Sequence, residues 1–291
     1  ELAKMDGAIV LSADMKKILF ANAELIPSSD IPTVETGTRH RTAERTAKQT
    51  GELVISISQR RNIITIFIEN ERYILEDTEV VLNKANQAIQ TLEKYKKVFD
   101  SKLNILNEYE FNDIVTLENV LSVLQRAEMV MQIVDEIEKQ IAELGDDGRL
   151  VDMQLEQLIG GIEKEEELII KDYLLVEDKT TKEIKEEIGN LSYEDLLKEQ
   201  TIAKILGYDI FSDFDEAYVY TKGYRILNKI PRMPATIVDN LAKSFKSLQH
   251  IIDATIEELD NVEGIGEVRA RNIKSSLKRM QEQFVFDNII N

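Results

Sequence analysis

The sequence predicts three parts in succession: an α/β domain, a long all-α segment and a small α-helical domain made of two helix-turn-helix pairs. Three observations carry this. Short β-rich apolar runs are confined to residues 1–76. Apolar residues at helical spacing run almost unbroken through 78–205. Proline and glycine connections then break up 206–291. The predicted boundaries are 1–76, 77–205 and 206–291.

In the first part, strands are expected at Ala8–Leu11, Ile18–Ala21, Leu53–Ile57, Ile63–Ile68 and Tyr73–Leu75. The third and fourth form a hairpin across Ser58–Asn62. Between the strands, Thr36–Gly51 reads as a helix. Thr36 and Gly37 open it, alanines and charged residues fill it, and Gly51 closes it. In the middle part, Val80, Val81, Ala85, Ala88, Ile89 and Leu92 share one helical stripe. Leu117, Val120, Leu121, Leu124, Ala127, Val130, Met131, Val134 and Ile137 share another. Gly145, Gly148 and Gly160-Gly161 punctuate the region. In the last part, Pro231 and Pro234 mark one tight connection and Gly264-Ile265-Gly266 a second.

Composition narrows the function. The 291 residues suffice for two or three domains with their own cores. There is no cysteine, which excludes a disulfide framework, a thiolate metal site and a cysteine nucleophile, and suits the reducing cytoplasm expected for this chain. No apolar run is long enough to span a bilayer, so no membrane partner is expected. The net charge of −18 is unevenly spread. Residues 101–200 hold 26 acidic and 10 basic side chains, whereas 221–291 hold 9 acidic and 11 basic. The middle is read as a helical spacer with a solvated acidic face, and the C-terminal part is locally basic.

The C-terminal stretch Leu259–Ile273 has the form helix, Gly-apolar-Gly hairpin, helix. Glycines let backbone approach a phosphate, and the following helix N-terminus offers free N–H groups and a positive dipole end. Gly264, Ile265 and Gly266 would form the hairpin, with Ile265 turned inward. Arg269, Arg271 and Lys274 would contact phosphates. Such contacts read backbone and shape, not base sequence. The stretch resembles the helix–hairpin–helix motif. A second copy, with prolines replacing the glycines, runs from Tyr224–Lys229 through Ile230–Pro234 to Ala235–Lys243. A helix turn ending in glycine among incidental basic residues is the alternative.

Near the N-terminus stand Asp6-Gly7-Ala8, before a strand, and Gly37-Thr38-Arg39-His40-Arg41-Thr42, at a helix start. The helix dipole disfavours cations at that end, so two arginines and a histidine there suggest a bound anion. Thr38 and Thr42 add hydroxyls. The residue types make either a triphosphate cradle or a merely basic exposed helix start. No histidine, aspartate and glutamate spacing suggests a metal hydrolase; His250 reads as structural, and Asp213, Asp215 and Glu216 as a solvated loop.

Asp6-Gly7-Ala8 followed by Gly37-Thr38-Arg39-His40-Arg41-Thr42-Ala43-Glu44-Arg45 resembles the diadenylate cyclase domain. With an acidic helical spacer and a C-terminal helix–hairpin–helix domain behind it, the chain resembles the DNA integrity scanning branch of that family along its whole length. The resemblance implies an α/β cyclase domain with a mixed sheet, a helical spine and a tandem helix–hairpin–helix domain. It implies condensation of two ATP into cyclic di-AMP and pyrophosphate. Asp6 matches the catalytic carboxylate, near the ribose 3′-OH and a divalent metal, Mg²⁺ or Mn²⁺. Gly7 and Leu25 match positions lining the nucleotide pocket, and Thr38, Arg39, His40, Arg41 and Thr42 match the phosphate-binding run. The implied partners are ATP, branched or damaged DNA, and further copies of the chain in a homo-octamer. Family members carry a further stretch before the Asp-Gly-Ala segment. This chain starts five residues before Asp6, so its cyclase domain is expected to be N-terminally incomplete, with an exposed sheet edge. The rival readings are a non-catalytic helix–hairpin–helix DNA-binding scaffold and a nucleotide sensor without turnover.

Overall fold

The computed structural model describes residues 7–59, 63–176, 178–209 and 213–290. The chain divides into two compact units, Glu1–Asn83 and Lys84–Asn291.

The first unit holds a hairpin of β1 (Ala8–Leu11) and β2 (Ile18–Ala23), helix α1 (Thr38–Thr50), and an antiparallel meander of β3 (Val54–Ser58), β4 (Ile63–Ile68) and β5 (Glu71–Leu75). The β1–β2 turn is tied by Asp14, whose Oδ1 accepts from Ser12 Oγ at 2.5 Å and from the Lys16 N–H at 3.2 Å. The β3–β4 pair runs from Val54↔Phe67 to Ser58↔Ile63, the hairpin that the sequence predicts; Arg60, Arg61 and Asn62 of its connection lie outside the described residues. Helix α1 packs on β3 and β4. Period-two alternation decides what meets it: Thr65 and Phe67 are buried, whereas Ile64 and Ile68 face the other way and are exposed. The core is small, namely Ala43, Ala47 and Phe67 with Val54 against them. Apolar side chains of β2 lie open to solvent, Phe20 being 64% exposed. Among the described residues the α/β expectation thus takes the form of two short antiparallel sheets and one helix.

Beyond it come α2 (Thr78–Asn112), α3 (Leu117–Leu144), a 3₁₀ turn at Gly145–Gly148, α4 (Arg149–Ile159), α5 (Ile162–Tyr173), α6 (Thr181–Gly189), α7 (Tyr193–Leu196) and α8 (Glu199–Leu206). The glycines that the sequence marks as breaks do end α3 and separate α4 from α5. Helix α3 is the hub, packed by α4, α5, α6 and α8, and it buries residues on all sides (Leu121, Val123, Leu124, Ala127 and Met129 among them). Its first turn is held by the Asn119 side chain, which accepts from the Thr116 N–H at 2.9 Å.

The C-terminal helices are α9 (Tyr224–Asn228), α10 (Ala235–Phe245), α11 (Leu248–Asp253), α12 (Ile256–Asp260) and α13 (Glu267–Ile290). One apolar core runs through them, including Leu227, Leu241, Ile251, Leu259, Ile273 and Phe111 from the end of α2. Two helix pairs therefore share a single interior, as a tandem motif requires. No described helix is long and apolar enough to cross a membrane.

One expectation for the middle needs correction. Its acidic residues are not all solvated: Glu110, Glu128, Glu166 and Asp172 are buried. The segregation follows from packing. These residues sit on the faces of α2, α3 and α5 that turn inward in the bundle, where Glu110 and Asp172 meet partners supplied from far along the chain.

Candidate functional site

Two regions bear on function, and they lie in different compact units. In the first, Asp6 lies outside the described residues, and with it the expected catalytic carboxylate and metal ligand. Gly7 immediately precedes β1. A Cβ there would run into the Asn22 side chain, so the hairpin demands glycine at this point, whatever else Gly7 does. Leu25 is half-buried in the connection between β2 and α1.

Helix α1 starts at Thr38 behind Gly37, whose φ of +96° suits glycine alone. The expected Thr36 cap is absent: Gly37 holds the N-cap position, and it carries no side-chain cap bond. The first turn has no acidic residue, so it carries no side chain of its own that offsets the positive dipole end. Thr38, Arg39 and Arg41 are exposed there and Thr42 is half-buried. His40 is 8% exposed and falls on the same stripe as Ala43 and Ala47, facing the small core. The predicted phosphate-binding run therefore divides in two. Its arginines and Thr38 are presented outward, whereas His40 braces the helix start from beneath.

What sets the position of this helix start was not apparent in the sequence. Glu44, buried on α1, accepts hydrogen bonds from Thr33 Oγ1, from the N–H groups of Val34 (3.2 Å) and Glu35 (3.3 Å), and from Lys48 Nζ (2.7 Å). Burial alone would raise its pKa, but the bonds from Lys48 and Thr33 outweigh it and hold the carboxyl below its usual range. Arg45 Nε donates to Ile31 O at 2.9 Å and Lys48 Nζ to Pro32 O at 3.1 Å. Glu35 pairs with Arg72 of β5 at 2.5 Å. Together these bonds clamp the 31–35 connection along the helix that it leads into. The Glu44–Lys48 spacing of four was a visible signal; the loop that it grips was not. Among the described residues no group of three or more His, Asp or Glu could hold a metal ion.

The second region is the C-terminal domain. Helices α12 and α13 flank the Asn261–Gly266 hairpin. Gly264 has φ +81°, and a Cβ on it would lie 2.6 Å from Ile237 Cδ1 of α10. The positive φ favours glycine here, and a Cβ would in addition push the Ile237 side chain aside. Asn240 of α10 donates to Glu263 O at 3.0 Å, which seats the hairpin on that helix. Ile265 is buried, as the sequence suggests, and Ala270, four residues beyond Gly266 on α13, is fully buried. Arg269 and Arg271 are exposed. In the chain alone Arg269 donates to Gly264 O, Arg271 pairs with Glu267 at 2.5 Å, and Lys274 Nζ donates to Ile252 O at 2.5 Å. The Arg271–Glu267 contact is a surface pair of the kind that contributes little to stability.

In the first helix pair, Pro234 caps α10 and Arg232 sits exposed at φ +60° in the connection. Arg225, on α9, is fully buried. Its Nη2 pairs with Glu110 Oε2, and its Nη1 donates to Asn107 Oδ1 at 2.5 Å. Tyr173 Oη donates to Glu110 Oε1 at 2.7 Å. Asp172 caps α9 by accepting from the N–H groups of Tyr224 (2.6 Å) and Arg225 (3.0 Å). Burial, and then the nearby Glu110, push the Asp172 pKa up to about 7. This network bolts the first helix pair onto α2 and α5.

Comparison with known proteins finds three family matches along the chain. Residues 1–72 match the family described as DisA bacterial checkpoint controller nucleotide-binding. Residues 75–214 match the DisA bacterial checkpoint controller linker region, and 229–285 the helix-hairpin-helix motif. The DNA integrity scanning protein DisA of Acetivibrio thermocellus is 54% identical over 288 residues, which is 99% of this chain and 80% of that protein. The DisA of Clostridioides difficile is 55% identical over 290 residues, covering 100% of this chain and 81% of its own. That of Clostridium kluyveri is 54% identical over 288 residues, covering 99% and 81%. The expected pairing of a diadenylate cyclase domain with a DNA-sensing helix–hairpin–helix domain is borne out at the level of family. This chain belongs to the DNA integrity scanning protein DisA family.

Proposed function

We propose that this chain binds ATP at the start of α1 and, with a second copy facing it, condenses two ATP into cyclic di-AMP and pyrophosphate. The observation that carries the proposal is the exposed Thr38–Arg39–Arg41 face on a helix start without acidic residues, inside the region that matches a nucleotide-binding family. Arg39, Arg41, Thr38, Thr42 and the first backbone N–H groups of α1 would hold the triphosphate. Gly7 and Leu25 would line the nucleotide pocket. Asp6 would orient the ribose 3′-OH and take its proton. The 3′ oxygen then attacks the α-phosphorus of the facing ATP, and the bond to pyrophosphate breaks. Two such steps close the ring, so positioning two nucleotides is the main catalytic task. Asp6 and phosphate oxygens would hold Mg²⁺ or Mn²⁺, an all-oxygen donor set that suits such hard cations. When bound, the ion neutralises charge on the phosphates.

The C-terminal hairpins would bind DNA through its backbone, independently of sequence, with branched or damaged DNA as the expected form. DNA as a partner implies a cytoplasmic location. Facing cyclase domains imply self-association, with a homo-octamer as the expected assembly.

The test is incubation with ATP and Mn²⁺ or Mg²⁺, with the product identified by mass spectrometry, for the protein carrying the N-terminal stretch of its family and for Asp6→Asn in that same protein. Cyclic di-AMP is expected from the first only, with ATP binding retained in the second. Product from Asp6→Asn would remove Asp6 from catalysis. Folded, unaltered protein that makes no product would leave the non-catalytic DNA-binding scaffold.

A further inference from the structure

Where α5 ends beside α9 and α10, a cleft of about 460 Å³ is lined by four lysines: Lys171, Lys222, Lys243 and Lys246. Among the described residues that line it there is no carboxylate, in a chain whose net charge is −18. The lysines come from three places in the sequence: α5, the residue before Gly223, and the end of α10. Lys171 is anchored, paired with Asp239 at 2.6 Å and lying 4.1 Å above the centre of the Tyr224 ring. Lys222 Nζ donates to Leu174 O at 2.7 Å. Lys243 and Lys246 are exposed, and neither ammonium group has a partner among the described residues.

Two further features set the last pair apart. Lys246 ends α10 with φ +63°, a left-handed position that α1 and α8 fill with Gly51 and Gly207. A side chain there forgoes the ease of glycine. A cation at a helix C-terminus is favourable, yet one lysine there would meet that need, and it would not bring Lys171 and Lys222 to the same cleft. The second feature is position. Asn240 of α10 holds the Gly264 hairpin, and Lys243 and Lys246 follow it at three-residue steps along the helix. At about 1.5 Å per residue they lie about 4.5 and 9 Å farther along. Along the DNA axis, at about 3.4 Å per phosphate on one strand, these offsets correspond to about one and about three phosphate steps.

We infer that this cleft is a second phosphate-contact site for DNA, which extends the track from the Gly264 hairpin along α10 to Lys243 and Lys246. The inference rests on the proposed DNA binding by the hairpins. The ligand chemistry is a phosphodiester backbone, bound by point charges and therefore without sequence preference.

The test compares the full chain with Lys243→Gln/Lys246→Asn, asparagine being chosen because it tolerates the left-handed backbone. A fluorescent mixed-sequence duplex is titrated at several salt concentrations, and unchanged thermal melting checks the fold. Each lost phosphate contact lowers the log–log salt slope by about 1, so the double variant should lose about 2. Its affinity near 0.1 M salt should fall on the order of tenfold or more. An unaltered chain that binds the duplex, with an equal slope in the variant, overturns this inference and leaves the hairpin reading intact. An unaltered chain that binds no DNA overturns both. If the variant loses binding of free AMP while its DNA slope is unchanged, the cleft takes a small nucleotide and the DNA track is wrong.

Discussion

Arginine does opposite work in the two units of this molecule. At the start of α1, Arg39 and Arg41 stand exposed at a helix end that repels them, over a core of only a few residues. On α9, Arg225 is sealed between α2 and α5, with Glu110, Asn107 and the Tyr173 hydroxyl completing the network. In the sequence both lie near a helix start within a motif of a phosphate-binding type. The difference teaches that a basic residue near a binding motif can serve a ligand only where the fold leaves it exposed to solvent. Arg225 is spent on joining the first helix pair to the spine.

Three perturbations sharpen that contrast. The largest effect is expected from Arg225→Met, which leaves Glu110 buried without its cation. Loss of one partner of a buried pair costs about 3–5 kcal/mol, so urea unfolding of the helical unit should shift by that order. The double change Arg225→Met/Glu110→Leu should recover much of it. If the single variant is as stable as the parent, the network does not join these helices.

A middle-sized effect is expected at Glu166, a buried residue whose carboxylate oxygens have no hydrogen-bond partner among the described residues. Lys185 Nζ is 3.8 Å away. Burial, then Glu128, push its pKa up to about 8 against the pull of Lys185, with Glu163 and Glu167 adding to the rise. The folded chain thus keeps a proton that the unfolded chain releases above its ordinary value of 4.5. Stability should therefore fall as pH rises from about 4.5 to about 8 and level off above that. Glu166→Gln should flatten this dependence and stabilise the protein near pH 8, on the order of 1–3 kcal/mol. Melting temperature measured against pH checks the sign; an unchanged profile would show that Glu166 does not set it.

The smallest effect on stability is expected from Arg41→Gln, within about 0.5 kcal/mol, because the side chain is exposed. ATP affinity should nevertheless fall about tenfold or more, as loss of a charge-assisted hydrogen bond predicts. A stability loss comparable to that of Arg225→Met would place Arg41 in the structural class instead.

Much of the architecture was legible in the residues. The five strands and α1 fall where β-rich runs and Gly51 indicate, since period and turn chemistry are local properties. Gly264 and Ile265 were equally readable, because positive φ and an inward anchor follow from spacing along one short segment. The clamp of Glu44 on residues 33–35, the core placement of His40 and the burial of Glu110, Glu166 and Asp172 were not. Each depends on which side of a helix faces a neighbour that is distant in sequence.

The sequence by itself determined the order of the three regions, the helical and extended periods, the glycine hairpin and the arginines at the start of α1. Only the tertiary structure decided which charges are spent. Arg225, Lys171 and Lys222 are engaged because packing brings Glu110, Asp239 and the Leu174 carbonyl to them, whereas Lys243 and Lys246 meet no such partner among the described residues. Pairing of charge depends on separations of a few ångströms between segments as distant in sequence as Glu110 and Arg225, and no local pattern encodes those separations.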